Sequence, residues 1–163
     1  MTTTHDARRA HRARAWWALL GFGTVVVVAA GIGVLGVSDT SAEYASLRRP
    51  AWAPPSWLFG PVWSVLYAMI AVAGWLVWRR VGLGPAIGVW TAQLALNAAW
   101  TPIFFGAGRY GLALVDVVVL WLLIGFTVVL FRRVSRPATL LMLPYWAWVA
   151  FAALLNLAIW QLN

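Results

Sequence analysis

Five long apolar blocks, separated by arginine, proline and glycine, leave this chain few ways to fold. They cover about residues 16–37, 61–78, 86–105, 111–131 and 140–161, each near the roughly 20 residues a helix needs to cross a bilayer. A membrane β-barrel would alternate polar and apolar residues over stretches of about ten, and the chain has none. At 63% hydrophobic and 10% charged residues, it also lacks the polar surface of a water-soluble globule. The expected fold is all-α, an integral membrane bundle of five transmembrane helices. It forms one domain over residues 16–163, behind a basic N-terminal segment (1–15), with a long first loop at 38–60.

The net charge of +8 comes wholly from arginine, since the sequence has no lysine. In a soluble protein such charge would point to nucleic acid. Here the arginines flank apolar blocks, where they set orientation and meet anionic head groups, so nucleic acid is not an expected partner. Five spans place nine of them on one side: Arg8, Arg9, Arg12, Arg14, Arg79, Arg80, Arg132, Arg133 and Arg136. Only Arg48, Arg49 and Arg109 fall on the other. That asymmetry predicts a cytoplasmic N-terminus and an outer C-terminus in a cell membrane, by inference bacterial. A cleaved signal peptide is the rival reading, but the first apolar block is too long for one and no small-residue cleavage site follows it.

Cysteine is absent, which removes disulfides, thiolate ligands and a thiol nucleophile. Both histidines, His5 and His11, precede the first span, leaving no imidazole inside the bundle for a metal or haem iron. Met69 and Met142 read as packing residues. No metal site and no resident cofactor is expected. Nor is there a phosphate loop, a carboxylate pair or a Ser-His-Asp set, so no conventional catalytic constellation is present.

The third block is two-faced. At 3.6 residues per turn, Trp90, Gln93, Asn97 and Trp100 share one side. Gly88, Ala92, Ala95 and Ala99 share the opposite side, smooth enough for close contact with another helix. The first face offers amides and indoles to something other than lipid, which suggests a ligand pocket within the bundle. Pro102 frees the carbonyl of Ala98 and predicts a bend near Asn97.

Thirteen tryptophans are the main compositional anomaly. Trp16, Trp17, Trp75, Trp78 and Trp160 fit an aromatic belt at span ends. Trp63, Trp100, Trp121, Trp146 and Trp148 lie deeper; each alone reads as packing, but together they favour a flat aromatic ligand. In the second block Trp63, Tyr67, Ile70 and Gly74 follow helical spacing, and in the fifth Trp148, Ala152 and Asn156 do so. Small residues beside large rings would leave slots for a planar molecule. The first loop carries Tyr44, Trp52, Pro54, Pro55 and Trp57, and serves either as a pocket cover or as an interfacial anchor. Asp116 is the one acid within a span. It either faces the pocket or sits at the interface, paired with Arg109 or capped by backbone. Gln93, Asn97 and Asn156 fit a pocket or helix-to-helix hydrogen bonds equally well.

The stretches YASLRRPAWAPPSW (44–57), GPVWSVLY (60–67), QLALNAAWTPIFFGAGRYGLALVD (93–116) and PYWAWVAFAALLN (144–156) resemble the tryptophan-rich sensory proteins. That family, TspO/MBR, is also called the translocator protein or peripheral benzodiazepine receptor family. The resemblance covers nearly all of the chain beyond the N-terminal segment. It implies a compact five-helix receptor or transport protein, commonly a homodimer, binding porphyrins, sterols or drug-like aromatics beneath the first loop. It places Trp52, Asn97, Trp100, Ala152 and Leu155 at the pocket, and Trp63 and Trp148 in light-dependent porphyrin breakdown. It assigns the dimer contact to the third helix, which here carries the Gly88, Ala92, Ala95, Ala99 face. One departure is the C-terminal LLNLAIWQLN, which lacks the tyrosine and basic residue of the sterol motif proposed for vertebrate members.

Three functions follow as expectations. The first is a porphyrin-binding sensor, scavenger or carrier, with ligand contacts at Trp52, Pro54, Pro55, Trp63, Tyr67, Gln93, Asn97, Trp100, Trp148, Ala152, Leu155 and Asn156. Arg48 and Arg49 would pair with the propionates, and a metal-free macrocycle fits the missing histidine. The second is photo-oxidative porphyrin degradation through Trp63 or Trp148. The third, weakened by the altered C-terminal end, is sterol or lipid transport.

Overall fold

The computed structural model describes the backbone of residues 3–34 and 39–163 and the side chains of residues 16–33 and 39–163. The side chains of Arg8, Arg9, Arg12 and Arg14, and the predicted end of the first span at 35–37, lie outside the described residues. Six α-helices follow in order: α1 (Thr3–Val34), α2 (Thr40–Ser46), α3 (Phe59–Val81), α4 (Pro85–Thr101), α5 (Tyr110–Arg132) and α6 (Arg136–Leu162). A 3-10 turn (Ser56–Leu58) leads into α3, and a π-helical turn (Pro102–Gly106) continues α4. The described residues contain no β-strand.

Local signals set the helix ends. Gly82 takes φ +69 after α3 and returns its N–H to the Trp78 carbonyl at 2.8 Å, a left-handed stop that suits glycine. Pro85 opens α4 at a position where its missing N–H costs nothing. Ser135 caps α6 by accepting from the Ala138 N–H at 3.3 Å. The helix therefore begins at Arg136, a few residues before the predicted span. The first loop is also partly helical: Asp39 accepts from the Ser41 and Ala42 N–H groups, both at 3.0 Å, and starts α2.

Trp16–Gly33, Ser56–Val81, Tyr110–Arg132 and Arg136–Leu162 are long and apolar enough to cross a membrane. The block expected as the third span is the 17-residue α4, which Pro102 ends by removing a donor. The chain then shifts to a wider register, with Ala107 N–H reaching the Pro102 carbonyl at 2.9 Å. The outside of the bundle is apolar. On α5 alone, Val115, Val118, Leu122, Phe126 and Val129 are exposed, the pattern of a lipid-facing surface.

Helix α5 packs on α4 and α6, α6 on α3, and α1 on α3 and α4. Lipid is as apolar as a side chain, so association rests on close fit and interhelical hydrogen bonds. Three glycines give that fit. A β-carbon at Gly74 would stand 2.7 Å from the Trp90 ring, and one at Gly111 or Gly125 would stand 3.0 Å from Trp160 or Trp146. The slot expected beside Gly74 is thus filled by the protein's own indole.

Candidate functional site

A cavity of about 370 Å³ opens among α1, α3, α4, α5 and α6, with α2 and the 3-10 turn at its mouth. This is within the range of about 300–1,000 Å³ usual for small-molecule sites. Trp63 and Tyr67 reach it from α3, Asn97 and Trp100 from α4, and Trp148, Ala152, Leu155 and Asn156 from α6. Its walls carry no charged side chain among the described residues.

The polar atoms of the floor are mostly spent on one another. Tyr67 donates to Asn97 Oδ1 at 2.9 Å, and Asn97 Nδ2 donates to the Tyr145 hydroxyl at 3.2 Å. Tyr145 in turn donates to Gln93 Oε1 at 2.8 Å. A second chain runs from Trp100 Nε1 to Asn156 Oδ1 at 3.1 Å, and from Asn156 Nδ2 to the Tyr110 carbonyl at 2.9 Å. Both chains tie α4 to α6, and they fix the ring of Trp100 and the amide of Asn97. Asn97 keeps one N–H and one lone pair of its oxygen beyond these bonds. Trp148 Nε1 is buried with no hydrogen-bond partner among the described residues. The cavity therefore presents aromatic faces with a few directed polar atoms, which suits a large, flat, mostly apolar molecule.

The mouth is built from the first loop. Tyr44, 4% exposed, donates to the Pro54 carbonyl at 2.9 Å and meets Phe59 edge-on at 5.1 Å. The Arg49 guanidinium sits 4.6 Å over the Tyr44 ring. Burial pushes the Tyr44 phenol above its ordinary range, and the nearby positive charge of Arg49 offsets part of that rise.

Other residues singled out in the sequence lie off the cavity wall. Gln93 is fully buried behind it, held by Tyr145, with its Nε2 unpartnered among the described residues. Trp52 is 53% exposed and meets Phe151 at 5.9 Å; Phe151 then contacts Trp148. Pro54 enters through its carbonyl, and Pro55 caps the 3-10 turn. Arg48 and Arg49 are exposed. Gly88, Ala92 and Ala95 are exposed on the outer side of α4, and Ala99 is half-buried. Asp116 is half-buried, and its Oδ2 has no partner among the described residues. Among the described residues, no three His, Cys, Asp or Glu side chains group where they could hold a metal ion.

The reading of the sequence missed Phe59, Phe104 and Phe105 as wall residues and Tyr145 as the hub of the floor. Phe104 stacks on Trp100 at 4.8 Å. Its position four residues after Trp100 was a helical signal, but Pro102 lies between them.

The sequence profile of the TspO/MBR family matches residues 22–161. The chain belongs to this family. It is 39% identical to the translocator protein of Ovis aries over 157 residues, covering 91% of each chain. It is 43% identical over 124 residues to the tryptophan-rich protein TspO of Chlorobaculum tepidum, covering 74% of this chain and 78% of that one. Protein CrtK of Rhodobacter capsulatus is 37% identical over 150 residues, covering 87% and 92%. As a TspO/MBR protein with these apolar helices, the chain is an integral membrane protein, and its relatives carry the names of translocators and tryptophan-rich proteins.

Proposed function

We propose that this membrane protein binds porphyrin-type tetrapyrroles in the cavity and acts on them as sensor, scavenger or carrier. The observation that carries this reading is the wall itself: the indoles of Trp63, Trp100 and Trp148 around a cavity of about 370 Å³ with no charged side chain among its described lining residues. Indole faces stack on a conjugated macrocycle, and Asn97 can bond its edge with its remaining N–H and lone pair. The ionised propionates would project through the mouth, where Arg49 stands over Tyr44 and Arg48 is its chain neighbour. In this account α4 and its π turn cross as a fifth span, the arginine-rich ends are cytoplasmic, and Gly88, Ala92, Ala95 and Ala99 form a homodimer contact.

The test is a dark titration with protoporphyrin IX and its dimethyl ester, on the wild type and on Arg48→Gln/Arg49→Gln. The reading expects saturable binding of both ligands, with the double variant losing affinity for the diacid alone. Equal weakening of diacid and ester would remove the propionate pairing; absence of saturable binding would remove the porphyrin.

A second reading, light-driven degradation of the bound porphyrin in the presence of dioxygen, is favoured by the surroundings of Trp63. Its ring lies 5.1 Å from Tyr67 and 6.2 Å from Tyr145. An electron passed from Trp63 to the excited macrocycle leaves an indole radical cation, which the electron-rich ring of Tyr67 beside it stabilises. It also leaves a reduced macrocycle, whose electron dioxygen takes to become superoxide, the oxygen species that attacks the ring.

A further inference from the structure

The bundle end opposite the first loop gathers Arg79 and Arg80 at the close of α3 with Arg132, Arg133 and Arg136 at the α5–α6 connection. Neither segment contains an acid, and all five of these arginines are exposed. The two segments are in contact: Arg80 Nη1 donates to the Val134 carbonyl at 3.4 Å. Arg79 is held differently, with its guanidinium 4.6 Å over the ring of Trp75, one turn earlier on α3. A guanidinium held over an indole by its charge still has N–H groups to donate. Among the described residues, Leu76, Arg79 and Arg80, on one face of α3, line a small cavity of about 170 Å³.

Orientation in the membrane requires only that positive charge gather on this side. It does not require one guanidinium to be parked on an indole, a second to be tied to the neighbouring loop, or a hollow between the two. Those features make a receptor for an anion. The hollow is at the end of a membrane-crossing helix, and its described lining joins one apolar side chain to two cationic ones. An occupant that matches both parts has a phosphate next to hydrocarbon.

We infer that Arg79 and Arg80, backed by the arginines of the α5–α6 connection, form a site for the phosphodiester head group of an anionic phospholipid. Arg79 offers its N–H groups to the phosphate oxygens, which suit a guanidinium better than an ammonium. Leu76 and Trp75 meet the first carbons of the acyl chains. The site is at the opposite end of the molecule from the aromatic cavity, and it stands whether or not that cavity takes porphyrin.

The test reconstitutes the full chain in phosphatidylcholine bilayers with increasing phosphatidylglycerol, and counts lipid retained per chain by native mass spectrometry. The site predicts one phosphatidylglycerol retained per chain in preference to phosphatidylcholine. Arg79→Gln/Arg80→Gln should weaken that retention about tenfold or more, as expected for lost charge-assisted hydrogen bonds. Arg48→Gln/Arg49→Gln, which removes equal charge from the opposite end of the bundle, should leave it unchanged. Equal loss in both double variants would mean general charge attraction and overturn the site. So would displacement of the lipid by inorganic phosphate at equal concentration, since the occupant would then be a free anion. Should the double variant fail to fold, Arg79→Gln alone is read in the same way.

Discussion

Asn163 clasps the backbone of Arg48: its Oδ1 accepts from the Arg48 N–H at 3.1 Å, and its Nδ2 donates to the Arg48 carbonyl at 3.0 Å. The same amide donates to the Ile159 carbonyl at 2.8 Å, so the clasp is fixed to the last turn of α6. Tyr44 and Pro54 close the loop upon itself nearby, and Trp52 rests on Phe151. The cover of the cavity is thus fastened to the helix that carries Trp148.

Breaking the clasp should loosen the cover. Asn163→Ala is expected to raise the dissociation rate of a bound ligand and its association rate together. Its thermal stability should fall by about 1 kcal/mol, since net values for exposed hydrogen bonds are modest. Stopped-flow fluorescence checks this, and unchanged rates would show that the loop moves independently of α6.

Gly74 has no room for a methyl group. A β-carbon there would stand 2.7 Å from Trp90, whose Nε1 is held by the Ile70 carbonyl at 3.1 Å and cannot readily swing away. Gly74→Ala should cost roughly 1–3 kcal/mol of stability by overpacking. Gly31→Ala, with open space around it, is the control. Comparable melting of the two variants in detergent would contradict the packing account.

Tyr145 is completely buried and links Asn97 to Gln93. Tyr145→Phe keeps the ring and leaves the Gln93 carbonyl and an Asn97 N–H without their partner. A loss of about 1–2 kcal/mol is expected, between the small values typical of membrane interiors and the full penalty for orphaned polar groups. The variant should also weaken ligands that bond Asn97 more than purely apolar ones. Equal affinity changes for both kinds would show that Asn97 is not positioned through Tyr145.

The face carrying Trp90, Gln93, Asn97 and Trp100 was legible because helical spacing alone sorts those residues to one side. The structure turns Trp90 and Gln93 into the core and leaves Asn97 and Trp100 on the cavity, a division made by the neighbouring helices rather than by spacing. The missing N–H of Pro102 predicts a bend near Asn97, whereas α4 is α-helical to Thr101 and the irregular turn is at Pro102–Gly106. The proline could not announce a π turn, which depends on the Ala107 N–H finding the Pro102 carbonyl. The slot at Gly74 was read as space for a ligand because a sequence does not say whose ring will fill it. Tyr145 was passed over within PYWAWV, an aromatic run where no periodicity sets one ring apart from the next. The short α2 had a visible start in Asp39, but seven residues carry too little pattern to separate from a loop.

Light offers a further check. Phenylalanine at Trp63 or Trp148 keeps a stacking face but is much harder to oxidise. Under the degradation reading, Trp63→Phe should bind porphyrin in the dark nearly as well as wild type, and bleach it about tenfold or more slowly when illuminated in air, one decade being about 1.4 kcal/mol of barrier. Wild-type bleaching rates in both phenylalanine variants would leave the protein as a binder only.

The most direct measurement is the quenching of tryptophan fluorescence by protoporphyrin IX in the dark, on the purified wild type and on Ala152→Phe, which places a ring inside the cavity. The account predicts saturable quenching at micromolar porphyrin for the wild type, on the order of 8 kcal/mol of binding free energy, and its loss in the filled variant. Quenching that never saturates, or the same saturable curve from both proteins, would contradict a porphyrin site among Trp63, Trp100 and Trp148.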